Sequence, residues 1–135
     1  MERRKIQPKN FTPALGAYSH GTAVEFGTHA LIFVTGQIAV DAKGEVVAPG
    51  DAAAQTEFVF ENIKTILAEA GSSLEDVVKV QIIVTNIADF PKISPVRNKF
   101  LAKNAPASTL FEVRNLVREG CVVEIEVIAV ANRLH

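Results

Sequence analysis

The chain contains 135 residues, a length typical of one domain with one hydrophobic core. Hydrophobic residues make up 48% and charged residues 21% of the sequence, a composition that excludes disordered and collagen-like proteins. The formal net charge of −1 and the lack of any long apolar run exclude a general attraction to nucleic acids and a membrane-spanning helix.

The N-terminal segment contains a basic cluster, Arg3-Arg4-Lys5, but no apolar stretch of the kind that a secretion signal requires. The cluster is too short to act as a nucleic acid-binding arm, so we predict a solvated end. The single cysteine, Cys121, cannot form an intramolecular disulfide. We therefore expect a cytoplasmic protein that has neither a membrane nor a nucleic acid partner.

The next segment has the pattern of a β-hairpin. Two apolar runs, Ala23–Phe26 and Ala30–Val34, are rich in residues that favour strands. The residues Gly27-Thr28-His29 separate the two runs, and this spacing is typical of a hairpin turn.

A long helix is predicted after Asp51, which stands where an N-cap residue belongs. Between Ala52 and Ala70 the apolar residues recur at steps of three and four, the period of one helix face: Phe58, Val59, Ile63, Ile66, Leu67 and Ala70. Gly71 follows as a residue that ends helices.

The second half alternates strand and helix patterns. Ser72-Ser73 begins a short capped turn, and Val77–Ile87 is rich in Val and Ile, which predicts a strand. Asp89 is predicted to cap a second helix, whose first turns contain two prolines and which ends at Asn104-Ala105-Pro106. The predicted strands Ser108–Val113 and Cys121–Ala131 follow.

This order of elements predicts an α+β fold in which residues 1–135 form a single domain. The sheet would carry two helices on one face. The strands are rich in Val and Ile on both faces, so a monomer would expose a large apolar patch. Self-association is the simplest way to cover it.

Motifs for metal, nucleotide or nucleophilic-serine sites are absent, so we expect neither a metal nor a cofactor. Strand periodicity places Glu124 and Glu126 on one face of the last strand. A partly buried carboxylate there can act as a general base or position a water molecule. A solvent-exposed strand face is the alternative interpretation.

Several segments, in order along nearly the whole chain, resemble motifs of the reactive-intermediate deaminase family, also called the Rid, YjgF or L-PSP endoribonuclease-like family. The first matches are Gly16-Ala17-Tyr18-Ser19-His20 and Val34-Thr35-Gly36-Gln37-Ile38. Further matches are Ala54-Gln55-Thr56, Asn62-Ile63-Lys64, Ala70-Gly71-Ser72-Ser73-Leu74, Asp76-Val77-Val78-Lys79, Asp89-Phe90, Pro106-Ala107 and Glu124-Ile125-Glu126-Val127-Ile128-Ala129-Val130.

The resemblance implies a chorismate-mutase-like sheet with two helices packed on one face. It also implies a homotrimer whose ligand clefts lie between subunits and bind a small molecule. The best-known family members hydrolyse reactive enamines and imines to a 2-oxo acid and ammonia without a cofactor.

The resemblance also implies the site residues. Glu124 matches the family glutamate that positions the attacking water, and Tyr18 is a second catalytic candidate with a hydroxyl donor. The implied substrate-binding positions are Thr35, Gly36, Ser108, Thr109 and His20. His20 replaces a common glutamine, and a position on the rim of the cleft is the alternative for its side chain.

One position departs from the family pattern. Deaminating members carry an arginine just after the Pro-Ala pair, where it grips the substrate carboxylate, and this chain has Ser108 there. We therefore expect a hydrolase whose substrate is not a simple amino-acid imine. The alternative is a non-catalytic trimer that binds a metabolite. The acidic charge balance disfavours a ribonuclease, and the sequence assigns no role to Arg97, Arg114 or Arg118.

Overall fold

The computed structural model describes residues 1–14 and 16–132. Its strands and longer helices are, in chain order, β1 (Glu2–Ile6), β2 (Gly21–Phe26), β3 (His29–Ile38), α1 (Ala52–Glu69), β4 (Val77–Val84), α2 (Phe90–Leu101), β5 (Ala107–Glu112) and β6 (Val123–Asn132). Short 3₁₀ helices at Leu74–Asp76 and Ile87–Asp89 precede β4 and α2 respectively.

The strands form a sheet with the order β1-β2-β3-β6-β4-β5. Strands β4 and β5 pair in parallel because α2 crosses over between them, and the other neighbouring strands pair antiparallel. The last strand, β6, lies between β3 and β4. The predicted α+β fold is therefore confirmed.

The predicted hairpin is confirmed as β2 and β3, in which Phe26 is paired with His29. Gly27 turns the chain with a φ of 55°, a left-handed conformation that glycine adopts at little cost. His29 begins β3, whereas the sequence pattern placed it in the turn.

Helix α1 begins and ends as predicted. The Asp51 carboxylate accepts a hydrogen bond from Ala54 N at 3.0 Å. At the other end Gly71 has a φ of 77°, and the amides of Gly71 and Ser72 donate to the carbonyls of Ala68 and Leu67. These two bonds form a Schellman motif, which satisfies carbonyls that the helix leaves free.

Strand β1 was missed by the sequence analysis, which predicted a solvated end at Arg3-Arg4-Lys5. These residues pair with β2, and Ile6 at the end of the strand is buried in the core. The Arg4 guanidinium donates to the buried Glu25 carboxylate at 3.3 Å. The basic segment therefore forms a strand because it pairs with β2 and because Ile6 is buried in the core.

The start of α2 also differs from the prediction. Strand β4 ends at Val84, three residues before the predicted end at Ile87. The Asn86 side chain then accepts from Ala88 N at 3.0 Å, so Asn86 caps the turn that leads into α2. Asp89 makes no side-chain capping bond, because it already has a helical backbone conformation.

Both helices pack on one face of the sheet. Residues of β6 that point toward them are buried in one cluster with α1 and α2: Val123, Ile125, Val127 and Ala129. Phe60 of α1 stacks on Phe100 of α2 with ring centroids 5.1 Å apart. The prediction of two helices on one face is confirmed.

We call the opposite face of the sheet the open face, because no helix within residues 1–14 and 16–132 covers it. Its apolar side chains are half-buried or exposed: Val24, Leu31, Phe33, Ile128 and Val130. Phe33 is 42% exposed and Val130 is 38% exposed, large fractions for apolar side chains on adjacent strands. No described helix is long and apolar enough to cross a membrane.

Candidate functional site

A cleft of about 190 Å³ lies where β3 ends against the start of β6. We call it the Glu124 cleft. Strand ends, the loop before β2, the loop after β3 and the loop between β5 and β6 all contribute to its walls. The lining residues are Thr12, Pro13, Tyr18, His20, Gly36, Gln37, Ile38, Val40, Gly44, Val117, Arg118 and Glu124.

Glu124 is positioned by the register of the sheet, in which it pairs with Ile38 of β3 and Ile83 of β4. It points away from the helices, as the alternation of β6 predicted, and it is half-buried. Burial raises the pKa of the Glu124 carboxyl above its ordinary value of 4.5, and the neighbouring charge of Glu126 raises it further. A carboxylate of this kind is a better proton acceptor than an exposed one.

Gly36 makes room for this carboxylate. The pairing of β3 with β6 is irregular between Val34 and Gln37, and the chain there passes close to Glu124. A Cβ atom on Gly36 would lie 2.9 Å from Glu124 Cδ and closer still to Oε2. The absence of a side chain at Gly36 therefore allows the carboxylate to lie against the backbone.

Tyr18 lies in the loop before β2 and is 49% exposed. Thr35 fastens this loop to β3: its hydroxyl donates to Ser19 O at 2.7 Å and its amide donates to His20 O at 2.9 Å. The Thr35 side chain thus faces the loop and does not line the Glu124 cleft. Thr35 thereby holds the backbone that follows Tyr18 against β3.

His20 is buried, with 5% of its surface exposed. Its Nε2 contacts Thr12 O, its Nδ1 is 3.3 Å from Gln37 Nε2, and its ring packs edge-on against Phe11. Gln37 Nε2 also donates to Thr35 O at 2.9 Å, so the amide is a donor toward His20. The bonds fit a tautomer that donates from Nε2, and through them the ring connects the segment of Thr12 to Gln37 of β3.

Ser108 and Thr109 lie on edge strand β5, outside the Glu124 cleft of the same chain. Ser108 pairs with Val80 on the helix side of the sheet and shares a separate cavity with Arg97. Thr109 accepts a hydrogen bond from Lys79 Nζ at 2.6 Å. A role for either residue at the Glu124 cleft therefore requires a neighbouring subunit.

Gln55 is a positioning residue whose role the sequence analysis did not find. Its fully buried amide donates to the carbonyls of Val47, Ala48 and Gly120, and its oxygen accepts from Val122 N. It thereby ties the loop after β3 to the loop before β6. The sequence signal was a polar residue at a core position of α1, which was noted only as a family match.

Arg118 was also left without a role, and the structure places it in a wall of the Glu124 cleft. Arg114 is exposed on the same loop, and Arg97 lies on α2 beside Ser108. Within residues 1–14 and 16–132 no three side chains form a group that could hold a metal ion. The Glu124 cleft is thus lined by the carboxylate of Glu124, the phenol of Tyr18 and the guanidinium of Arg118.

The sequence of this chain is similar to those of known proteins. A family model described as Endoribonuclease L-PSP matches residues 9–131. The chain is 35% identical over 129 residues to 3-aminoacrylate deaminase RutC of Acinetobacter baylyi, covering 96% of this chain and 98% of the relative. It is 31% identical over 128 residues to a 2-iminobutanoate/2-iminopropanoate deaminase of Rattus norvegicus, covering 95% and 90%.

The fold of this chain is also similar to a solved structure. The crystal structure of RidA from the Antarctic bacterium Psychrobacter superposes with a TM-score of 0.80 at 37% identity, covering 93% of this chain and 98% of that one. The sheet order and the two helices on one face are thus features of a known fold.

Proposed function

Because the chain belongs to the endoribonuclease L-PSP family, also called the Rid or YjgF family, we propose that its Glu124 cleft hydrolyses a reactive imine or enamine. The products are a carbonyl compound and ammonia. The observation that carries the proposal is the half-buried Glu124 carboxylate, held against Gly36 with a raised pKa in the same cleft as Tyr18. Two relatives named as deaminases of such compounds support it.

An enamine first gains a proton from water at carbon and loses one from nitrogen to water, which gives the imine. The Glu124 carboxylate takes a proton from water while the water oxygen attacks the imine carbon, and it passes that proton to the imine nitrogen. Glu124 then takes the hydroxyl proton of the carbinolamine and returns it to the amine nitrogen as the C–N bond breaks, which releases ammonia and the carbonyl compound and regenerates the carboxylate. Tyr18 donates a hydrogen bond to the nitrogen or the developing hydroxyl. No oxidation or reduction occurs, so the chemistry requires only water.

We expect Glu124→Gln to lower the rate of ammonia release from freshly generated 2-aminoacrylate by about 10²- to 10⁴-fold, because the variant cannot accept the proton. The matched control is Glu126→Gln, which lies on the same face but bonds Gln81 at 2.9 Å instead of lining the cleft. At pH 8 the control is expected to stay within severalfold of the wild type. Equal rates for Glu124→Gln and wild type would refute the proposal.

The pH profile gives a second readout of the same prediction. Ionised Glu124 is the base, so kcat/KM should fall as the pH drops through its raised pKa, above 4.5. Glu126→Gln should move that midpoint down, since the Glu126 charge contributes to the shift. Folding favours the protonated carboxyl, so Glu124→Gln should be the more stable protein at neutral pH, with the gap closing in acid.

We further propose that the active form is a homotrimer whose subunits cover one another's open faces. The apolar side chains of the open face support the proposal, as does the position of Ser108 and Thr109 outside their own chain's cleft. Sedimentation equilibrium should give a mass near three times the 14.6 kDa of one chain. Phe33→Glu should shift the population to monomers, because burial of an unpaired charge is costly.

A matched control for the assembly experiment is Ile87→Glu. Ile87 is 51% exposed, comparable to Phe33, but lies in the 3₁₀ helix before α2. This variant is expected to remain trimeric. A stable wild-type monomer across micromolar concentrations would contradict the proposal.

Ser108 favours a second candidate function. A trimer that lacks the family arginine could bind a small metabolite without turnover, because a serine hydroxyl provides one neutral donor where the arginine provides a charged fork. The ammonia assay separates the two functions: binding of a carbonyl compound with no protein-dependent ammonia release would support the second. Location in the cytoplasm stays a prediction from the sequence.

A further inference from the structure

Arg118 is held in place by contacts within its own chain. It lies on the loop between β5 and β6, is half-buried, and lines the Glu124 cleft. One of its terminal nitrogens, Nη2, donates to Gly44 O at 3.1 Å. This hydrogen bond holds the guanidinium in the wall of the cleft. Because the acceptor is a neutral carbonyl, the bond does not neutralise the positive charge of Arg118.

The loop that carries Arg118 is itself pinned. Gly120 O accepts from Gln55 Nε2 at 2.8 Å and from Gly50 N at 2.9 Å, and Cys121 N donates to Arg118 O at 3.2 Å. These bonds connect the loop to α1 and to the loop after β3. A ligand that binds Arg118 therefore has little backbone to reorder, which keeps the entropic cost of binding low.

No ion pair joins Arg118 to a carboxylate among the described residues, although Glu124 lines the same cleft. An arginine has five N–H donors, and among the described residues Gly44 O accepts from one nitrogen of Arg118. The cleft of about 190 Å³ that both side chains line has room for a small molecule whose two ends have different chemistry. One end would meet a cation and the other a proton acceptor.

The other candidate arginines are used elsewhere. Arg97 donates to Ser94 and Asn98, lies 5.7 Å from the centre of the Phe90 ring, and faces the cavity of Ser108. Arg4 pairs with Glu25 on β2. In the part of the chain that the structure describes, Arg118 is the arginine that lines the Glu124 cleft.

We propose that Arg118 binds the carboxylate of the substrate and thereby takes the place of the arginine that the family pattern puts at position 108. The inference rests on the proposed function and specifies its substrate class, small 2-imino or aminoacrylate carboxylates. The substrate carboxylate accepts two parallel N–H bonds from the guanidinium fork, and the C=N group lies toward Glu124. The expectation from Ser108, a substrate other than an amino-acid imine, changes accordingly.

The first test measures binding without turnover. By calorimetry, 2-oxobutanoate, a stable carboxylate with the shape of a product, should bind wild-type protein more tightly than 2-oxobutanamide, its neutral amide. Arg118→Gln should weaken binding of the carboxylate about 10- to 100-fold, the loss expected for a charged hydrogen bond, and leave the amide unchanged. Arg118→Lys should retain part of the preference. Arg97→Gln is the matched control and should bind like wild type.

Two results would overturn the inference. One is unchanged binding of 2-oxobutanoate by Arg118→Gln, and the other is equal affinity of the wild type for the acid and the amide. Should Arg118→Gln fail to fold, shown by its thermal melting curve, Arg118→Lys decides, because it keeps the charge but loses the planar fork. Full affinity in Arg118→Lys would then refute bidentate binding.

Kinetics separate this inference from the proposed function. If the wild type hydrolyses 2-aminoacrylate, Arg118→Gln should raise KM about 10- to 100-fold with a smaller effect on kcat, since Arg118 binds the non-reacting end. A wild type that releases no ammonia but binds 2-oxobutanoate through Arg118 would end the proposed function and keep the inference. Hydrolysis of 2-aminoacrylate with an unchanged KM in Arg118→Gln would support the proposed function and refute the role of Arg118.

Discussion

Gly36→Ala should lower kcat/KM for imine hydrolysis by about 10²-fold or more while the fold is retained. The added Cβ would lie 2.9 Å from Glu124 Cδ, well inside ordinary contact distance, so the carboxylate must leave its position. A displacement of about 1 Å at a reacting group is enough for a loss of this size. Steady-state kinetics and far-UV circular dichroism on the same samples measure the two parts of the prediction.

The control for this substitution is Gly16→Ala. Gly16 is also a glycine of the region around Tyr18, but among the described residues a Cβ there would meet the Tyr18 ring at 3.8 Å, which is normal van der Waals contact. Gly16→Ala should keep most of its activity, because a contact at 3.8 Å does not displace the Tyr18 ring. Wild-type kinetics in Gly36→Ala would show that the position of the Glu124 carboxylate against the backbone is unimportant.

Gln55→Leu should reduce the free energy of unfolding by about 3–5 kcal/mol, a large part of the total for a domain of this size. Leucine cannot replace the four bonds that Gln55 makes to this backbone. Gly120 O and Ala48 O keep the bonds from Gly50 N and Asp51 N, but Val47 O and Val122 N lose the partner that Gln55 provides beside the core. Each unsatisfied buried group costs about 1–3 kcal/mol, less where relaxation admits water.

Urea unfolding of Gln55→Leu measures this effect as a shift of the midpoint at constant slope. Thr65→Ala on the same helix is the control, because Thr65 is exposed and its hydroxyl donates to Glu61 O within the helix at 3.2 Å. Its effect should stay within about 0.5 kcal/mol. A loss below about 1 kcal/mol for Gln55→Leu would mean that the two loops hold together without it.

The elements that the sequence predicted correctly are those specified by local chemistry. Gly27 turns a hairpin, Asp51 caps a helix and Gly71 ends it, and each role depends on a few neighbouring residues. Strand β1 has no such signal, because Arg3, Arg4 and Lys5 become a strand only by pairing with β2. Pairing between distant segments is a property that single-residue propensities do not contain.

The site was predictable to the extent that its motifs resemble a family. Tyr18, His20, Gly36 and Glu124, four of the residues named from the resemblance, line one cleft, although 106 positions separate Tyr18 from Glu124. Arg118 was not predictable, because it lies on an irregular loop without periodicity, and its direction is set by Gly44 and the pinned loop. A side chain on such a loop acquires its direction only in the folded structure.

The central position of β6 in the sheet has a consequence for the way the chain folds. Strands β3 and β4 do not touch each other; each pairs with β6, which comes last of the strands in chain order. During synthesis β3 and β4 therefore each have an unpaired edge until residues 123–132 have left the ribosome. Such edges are templates for aggregation, so the chain is most exposed to aggregation in the interval before β6 joins the sheet.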